Sequence, residues 1–381
     1  LSSSSAASDV YKRQIIYLIE SNFIVLKKKV IIFTGAISSG GAEKQSVLLA
    51  KALNEKYNVT LISYFGEREL MRYINFLIDN DIPYFQLKGS ALKKVSEFYK
   101  IIKQLKPNTI INFLPSNNVI GGVIGKILGV KQVFGGVRSS RQSAIKYLEL
   151  LISHHLFSNL TVFNNYAGID YFTKKGFKKS KSLVISNCIY PTPIKKIANK
   201  NTERESIKIL VVSRFEVYKD YETVLNSFKK VVEKSKDLVF KLSIVGTGSQ
   251  ENLIRKRILD LKIDKLTTIA INPENIYEFY EDSDIFLQTS LFEGLSNSIM
   301  EAMSYSLPVV ATNVGDNNIL VHEGVNGFLT NIGDVDKISD KLLDLSKSKE
   351  KRNRMGDKSF EIIQSNFTIE KFGENFSKII K

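Results

Sequence analysis

IFLQTSLFEGLSNSIMEAM, residues 285–303, reads as a strand, a loop and a helix in direct succession. Its first six residues, IFLQTS, open on the apolar run Ile285–Leu287 and read as a buried strand. Residues 290–294 make the loop at the strand's end, closing on a glycine, and Ser296 is suited to cap a helix. Ile299 and Met303 then recur at the spacing of one core-facing stripe. A strand that feeds through a short loop into a helix is the repeating unit of a parallel sheet covered by helices. Glu301 falls on the side of the helix away from that stripe, and Glu293 lies in the loop. Between the two acids the free N–H groups near Leu295, Ser296 and Asn297 point at an anion.

The same rhythm extends outward in both directions. KVIIFTG, VTLISYF, TIINFLP, QVFGGVR, LTVFNN and SLVISN alternate with helical patterns up to about residue 190. IKILVVSRF, KLSIVGTG, LTTIAI, IFLQTS, PVVATNVG and NGFLT repeat the alternation afterwards. Polar KKIANKNTERES, 195–206, separates the two series and reads as a linker. The fold class expected is α/β, with two doubly wound Rossmann-like units. The expected organisation is a leader over 1–26, non-native or disordered, a first domain over 27–194, the linker 195–206 and a second domain over 207–360. A last helix is expected over 361–381.

In doubly wound sheets ligands sit beyond the carboxyl ends of the strands, so the residues closing each run carry the interest. TGAISSGGAEKQ, 34–45, closes the first strand and opens the first helix; Gly40 and Gly41 would let an anion approach the backbone. It matches neither a P-loop nor G-x-G-x-x-G, and a plain tight turn explains it equally well. VVSRFEVYKDYETVLNSF, 211–228, sets Arg214 at a strand end and Lys219 five residues later. Two fixed cations there suit a diphosphate, although solvated surface charges would look the same. IVGTGSQENLI, 244–254, places Gly246 and Gly248 in a strand-to-helix turn that fits a nucleotide phosphate or a purely structural corner.

Composition narrows the classes. The single cysteine, Cys188, forms no internal disulfide, and three histidines leave little for a His-based metal site. The best apolar stretch, IIYLIESNFIVL at 15–26, is short for a membrane span and interrupted by polar residues. Charge is uneven: residues 27–200 hold 27 Lys and Arg against 9 Asp and Glu, a net of +18, whereas 201–381 hold 25 against 28. No acid occurs between Glu97 and Glu149. A half so basic suits an anionic membrane surface or a lipid-linked diphosphate; solvated lysines are the plain alternative. EFYKIIKQLKP, 97–107, amphipathic and basic, fits either a membrane contact or an ordinary surface helix. Asp282-Ser283-Asp284 has the look of a metal-binding pair but closes a helix before a buried strand. His154, His155 and His322 read as structural or solvated.

Taken together, Glu-x7-Glu after a strand, a strand-end Arg with Lys five on, GGAE, FNNYAGIDYFTKKG, VISNCIYP and VATNVGDNNILVHEGVNGFL resemble the retaining glycosyltransferases of family 4. The resemblance covers most of residues 29–381. It implies a GT-B fold, two Rossmann-like domains facing across a cleft, and transfer of a hexose or N-acetylhexosamine from a nucleotide sugar, UDP-linked, with retention. The acceptor implied is a hydroxyl of a glycan or polyprenyl-diphosphate-linked intermediate in bacterial surface polysaccharide synthesis, such as capsule or lipopolysaccharide. No cofactor or metal is implied, and the location implied is cytoplasmic, peripheral on the inner face of the plasma membrane.

Residue by residue, the resemblance gives Arg214 and Lys219 the donor diphosphate and Glu293 the donor sugar hydroxyls. It gives Glu301 the ribose, and the residues from Gly294 through Leu295 and Ser296 to Asn297 a share of phosphate and sugar. Gly40 and Gly41 would meet the diphosphate from the first domain, and the resemblance implies that the last helix, 361–381, returns to that domain. Departures are Asp316 where the family has a second glycine after Gly315, Cys188 where it has glycine, and GGVRSSRQ where many members carry a histidine. Arg138 and Arg141 are the acceptor-side candidates there. Two other activities fit parts of the pattern: a sugar-nucleotide epimerase or phosphorylase on the same fold, and a nucleic-acid binder driven by charge. The basic half carries no recognition helix or aromatic RNA-binding signature, so no nucleic-acid partner is expected.

Overall fold

The structure is a computed structural model describing residues 27–38, 40–66, 70–138, 142–190, 206–235 and 237–381. The expected leader 1–26, the candidate Arg141 and all of 195–206 except Ser206 lie outside the described residues. The chain divides into two compact units. Among the described residues, the first holds those up to Val162, with Lys175–Leu183 and Gly373–Lys381; the second holds Phe163–Lys174 and those between Val184 and Phe372. Residues 184–190 therefore group with the second unit, earlier than the linker at 195–206. The cause is local bonding: Asn187 Nδ2 donates to Asn297 Oδ1 at 2.9 Å, and Ile189 N–H donates to Phe367 O at 2.9 Å.

The first sheet is built from β1 (Lys29–Thr34), β2 (Asn58–Ser63), β3 (Tyr84–Gln86), β4 (Thr109–Asn112), β5 (Gln132–Val137), β6 (Leu160–Phe163) and β7 (Ser182–Val184). Their order is β3-β2-β1-β4-β5-β6-β7, with parallel pairing from β3 through β5. The helix Ala91–Leu105 lays Phe98, Ile101 and Ile102 against Ile31, Phe33 and Ile62, and Phe98 stacks on Phe33 with ring centroids 4.2 Å apart. The basic stretch 97–107 thus spends its apolar residues on the core. Gln132 fastens the chain end, donating to Ile379 O at 3.0 Å and accepting from Lys381 N–H at 2.7 Å.

The second sheet comprises β8 (Ile207–Val212), β9 (Phe240–Gly246), β10 (Thr267–Ile271), β11 (Ile285–Gln288), β12 (Val309–Thr312) and β13 (Gly327–Thr330). All neighbours pair in parallel in the order β10-β9-β8-β11-β12-β13. Alternate residues of β8 feed opposite cores. Ile207, Ile209 and Val211 join Val224, Phe228 and Val231 of the helix Tyr221–Lys234, while Leu210 and Val212 join Ile299, Met300 and Met303 of the helix Asn297–Ser304. Burial on both faces explains why these strands read as continuous apolar runs. Each such side chain contributes about 1.5–3 kcal/mol when withdrawn from water. The order reverses between β8 and β11, so the loops following those two strands open at the switch point.

His154 is part of the first unit's packing. It is buried, its Nε2 accepts from Lys178 N–H at 2.9 Å, and its Nδ1 lies 2.8 Å from Thr161 Oγ1. That bond to Nε2 places the proton of the neutral ring on Nδ1. Burial, helped by His155, Lys181 and Lys178, pushes its pKa down from 6.5 to about 4. The unfolded chain therefore binds the extra proton first. Stability is full above 6.5 and is lost as pH falls from there through about 4. Denaturant titrations across that range are expected to show the loss, and His154→Gln to flatten it. An unchanged pH slope in the variant would refute the assignment.

Candidate functional site

Leaving β8 at Val212, the chain passes through Ser213, Arg214 and Phe215 beside β9. Two glycines make that passage possible. A Cβ on Gly246 would lie 1.9 Å from Ser213 O, and one on Gly248 would lie 2.5 Å from Phe215 O; both glycines have φ of 154°. Phe215 N–H donates to Thr247 O and Gln250 N–H to Phe215 O, each at 2.8 Å. The Arg214 loop itself demands glycine at both positions. Arg214, exposed, donates to the Tyr218 hydroxyl and lies 5.6 Å from the centre of its ring. The Lys219 ammonium lies 5.3 Å from the same ring, which stacks on Phe292 with 4.7 Å between centroids. One tyrosine thus spaces two cations, each contact worth about 0.5–1 kcal/mol when exposed. Burial pushes the Tyr218 phenol up, and Arg214 pulls it part of the way back.

Lys219 ends the short turn Val217–Lys219, and the next residue, Asp220, has φ of 50°. Left-handed backbone costs a non-glycine residue about 1–2 kcal/mol. Asp220 offsets this by capping the helix Tyr221–Lys234, accepting from Thr223 N–H at 3.3 Å and Thr223 Oγ1 at 2.6 Å. The loop after β11 is sewn to this turn. Thr289 Oγ1 donates to the carbonyls of Lys219 and Asp220 at 3.2 and 2.9 Å, and Leu291 N–H donates to Tyr218 O at 2.8 Å. The Lys219 ammonium consequently reaches Glu293 Oε1, which also accepts from Ser290 Oγ at 2.7 Å. The paired side chains are only 11% and 12% exposed.

Glu293 is braced from behind. Gly315 has φ of 56°, and a Cβ there would lie 2.3 Å from Glu293 O, while Asp316 N–H donates to Gly294 O at 3.1 Å. Beyond Leu295, Ser296 caps the helix Asn297–Ser304, its Oγ accepting from Ile299 N–H at 3.4 Å and from Gln288 Nε2 at 2.8 Å. Asn317 Nδ2 in turn donates to Gln288 Oε1 at 3.0 Å. Glu301, half-buried, accepts from the Tyr280 hydroxyl at 3.0 Å. Burial and Glu301 together push the Tyr280 phenol well up, so it stays a donor. Tyr280 stacks on Tyr305 at 5.6 Å. Arg214, Lys219 and Glu293 thus gather around Tyr218, while Glu301 is set against an aromatic stack farther along the same loop and helix.

Residues 193–361 match the family model described as glycosyl transferases group 1. The matched segment lies within the second unit. The chain is 27% identical over 373 residues to an uncharacterized glycosyltransferase of Haemophilus influenzae, covering 90% of this chain and 97% of that one. It is 25% identical over 293 residues to the amylovoran biosynthesis glycosyltransferase AmsD of Erwinia amylovora, covering 74% and 80% of the two chains. Its fold is GT-B: the structure of HepE of Anabaena, solved in complex with UDP, superposes with a TM-score of 0.77 at 17% identity, covering 92% of this chain and 98% of that one.

Within this matched segment Asp316 has work of its own. Its buried carboxylate accepts from Tyr166 N–H at 2.5 Å and Ala167 N–H at 2.9 Å, capping the helix Tyr166–Lys174. Burial pushes its pKa up against the pull of those two bonds. The residue therefore ties the Glu293 loop, through Gly294 O, to a helix that precedes it by more than a hundred positions. Asp282 pairs with Lys208, and Asp284 accepts from Lys208 N–H at 2.9 Å, which accounts for both acids of that sequence pair. Cys188 is buried.

The first unit holds the remaining candidates. Gly40 precedes the helix Gly41–Asn54, and a Cβ on it would lie 2.0 Å from Glu43 Oε2, so the helix mouth already carries a carboxylate of its own. Arg138, following β5, lays its guanidinium 4.1 Å from the centre of the Phe113 ring. Sequence reasoning missed Tyr218, Phe292 and Ser290. An aromatic residue directly before Lys219 and another directly before Glu293 were the available signal.

Proposed function

We propose that the protein transfers a hexose or N-acetylhexosamine from a UDP-linked nucleotide sugar to a hydroxyl of a glycan or polyprenyl-diphosphate-linked acceptor. Transfer proceeds with retention, in bacterial surface polysaccharide synthesis at the inner face of the plasma membrane. The observation that carries this reading is the gathering of Arg214, Lys219 and Glu293 around Tyr218 at the switch point of the second sheet. As the glycosidic bond breaks, negative charge grows on the leaving diphosphate. Arg214 and Lys219 stabilise that charge from fixed positions, more strongly in the transition state than before it. In doing so Lys219 exchanges part of its contact with Glu293 for a phosphate oxygen, leaving the carboxylate to hold sugar hydroxyls. Donors around Gly294, Leu295, Ser296 and Asn297 share the phosphate and sugar, and Glu301 takes the ribose. Gly40 and Gly41 are assigned to the diphosphate, and Arg138 and Arg141 to the acceptor.

AmsD, named for amylovoran biosynthesis, and HepE, solved with UDP, support the substrate class. The two cations do the neutralising that a metal would otherwise do, so no metal is required. The test is a panel of nucleotide sugars, read as thermal shift and slow hydrolysis, with and without a chelator. A UDP-sugar is expected to stabilise the protein in both conditions. Response to none of the panel, or only with added metal, would overturn the reading, and product isomerised at the sugar without an acceptor would move it to an epimerase.

A further inference from the structure

The helix Ala144–Ile152 continues into the wider turn Ser153–Phe157, and one side of it is bare. Ile145, Leu148, Ile152 and Leu156 are 75%, 55%, 38% and 59% exposed. Their spacing of three, four and four residues puts them on a single face. An apolar stripe of this kind on a folded surface marks an interaction site.

A basic loop is fastened beside it. The Tyr147 hydroxyl donates to Lys175 O, His155 Nε2 lies 2.9 Å from Gly176 O, and Lys178 N–H donates to His154 Nε2 at 2.9 Å. Lys181 Nζ reaches His154 O at 3.2 Å. The first three of these contacts use the loop's backbone, so the side chains of Lys175, Lys178 and Lys179 remain exposed. A helix with an apolar stripe and neighbouring lysines has the make-up of a segment that lies in the interface of a bilayer, its apolar residues among the acyl chains and its cations among anionic headgroups.

We propose that the stripe Ile145, Leu148, Ile152 and Leu156, with Lys175, Lys178 and Lys179, docks this protein on an anionic phospholipid bilayer. The occupant is a bilayer and not a second copy of the chain, because residues 27–200 carry a net charge of +18 and two such faces would repel. The inference deepens the proposed transfer to a lipid-linked acceptor and rests on it for its purpose, while the binding itself is measured without donor or acceptor. It moves the membrane contact away from 97–107, whose apolar residues are in the core.

Flotation of the full chain with phosphatidylcholine vesicles, with or without phosphatidylglycerol, tests it. The protein is expected to float with the anionic vesicles. K178A/K179A is expected to lose about tenfold or more in partitioning and much of its salt dependence. L148S/L156S is expected to lose about tenfold while keeping the salt dependence. All four side chains are exposed, so both variants should fold, which far-ultraviolet circular dichroism checks. R214A should float like the wild type, so failure of docking and failure of glycosyl transfer are read separately. Equal flotation on both vesicles, or variants that float unchanged, would overturn the proposal. So would L148S/L156S abolishing a dimer without affecting flotation, or an RNA probe binding where vesicles do not.

Discussion

Arg214→Ala is expected to lower turnover by about 10²–10³-fold while leaving the protein folded. The guanidinium is exposed and its hydrogen-bond partner is the hydroxyl of Tyr218, which water can satisfy in its absence. Lys219→Ala should match it in turnover but differ in stability. Its ammonium is paired with Glu293 in surroundings that leave both side chains little exposed, and removing one partner leaves a poorly solvated charge behind. A loss of about 1–3 kcal/mol should follow. The double variant K219M/E293Q should recover most of that stability and none of the activity, because an ion pair shielded from water can be replaced by neutral groups at little net cost. Steady-state transfer and denaturant titration on the same preparations separate the two effects. Near-normal turnover in folded R214A would remove the arginine from the chemistry.

Gly246→Ala carries the second large expectation. The added methyl would meet the backbone oxygen of Ser213 at 1.9 Å, and no side chain can rotate away to relieve it. The backbone is also held at φ of 154°, a region costly for any residue with a Cβ. The loop bearing Arg214 must move or β9 must shift against β8. A stability loss of about 3 kcal/mol or more is expected, with transfer activity falling alongside. Alanine at Gly129, where nothing lies within 4 Å of the added carbon, is the control for a glycine at positive φ without a clash. Equal stability of the two variants by thermal melting would contradict the packing argument.

Much of the fold was legible because buried parallel strands advertise themselves. All six strands of the second sheet coincide with apolar runs in the sequence, and so do six of the seven in the first. β3, Tyr84–Gln86, escaped because three half-buried residues leave no pattern to read. Within 285–303, the cap at Ser296 and the buried Ile299 and Met303 followed from spacing alone. Three features of the site did not. The pairing of Lys219 with Glu293 joins residues 74 positions apart and needs β8 and β11 to be neighbours, which only the crossover topology decides. Gly246 and Gly248 could be seen as a corner but not as the support of Arg214, since the atoms they make room for belong to another strand's end. Asp316 looked like a lost glycine. Its carboxylate instead serves two backbone N–H groups of a helix far earlier in the chain.

The central claim is that Arg214 and Lys219 share one pyrophosphate at the end of β8 while Glu293 turns to the sugar. A crystal structure with a non-hydrolysable UDP-sugar tests it most directly. The account predicts phosphate oxygens within hydrogen-bond distance of both cations, the Arg214 contact to Tyr218 exchanged for one of them, and a sugar hydroxyl on Glu293. A donor bound elsewhere, with Lys219 still closed on Glu293 and Arg214 still on Tyr218, would contradict it.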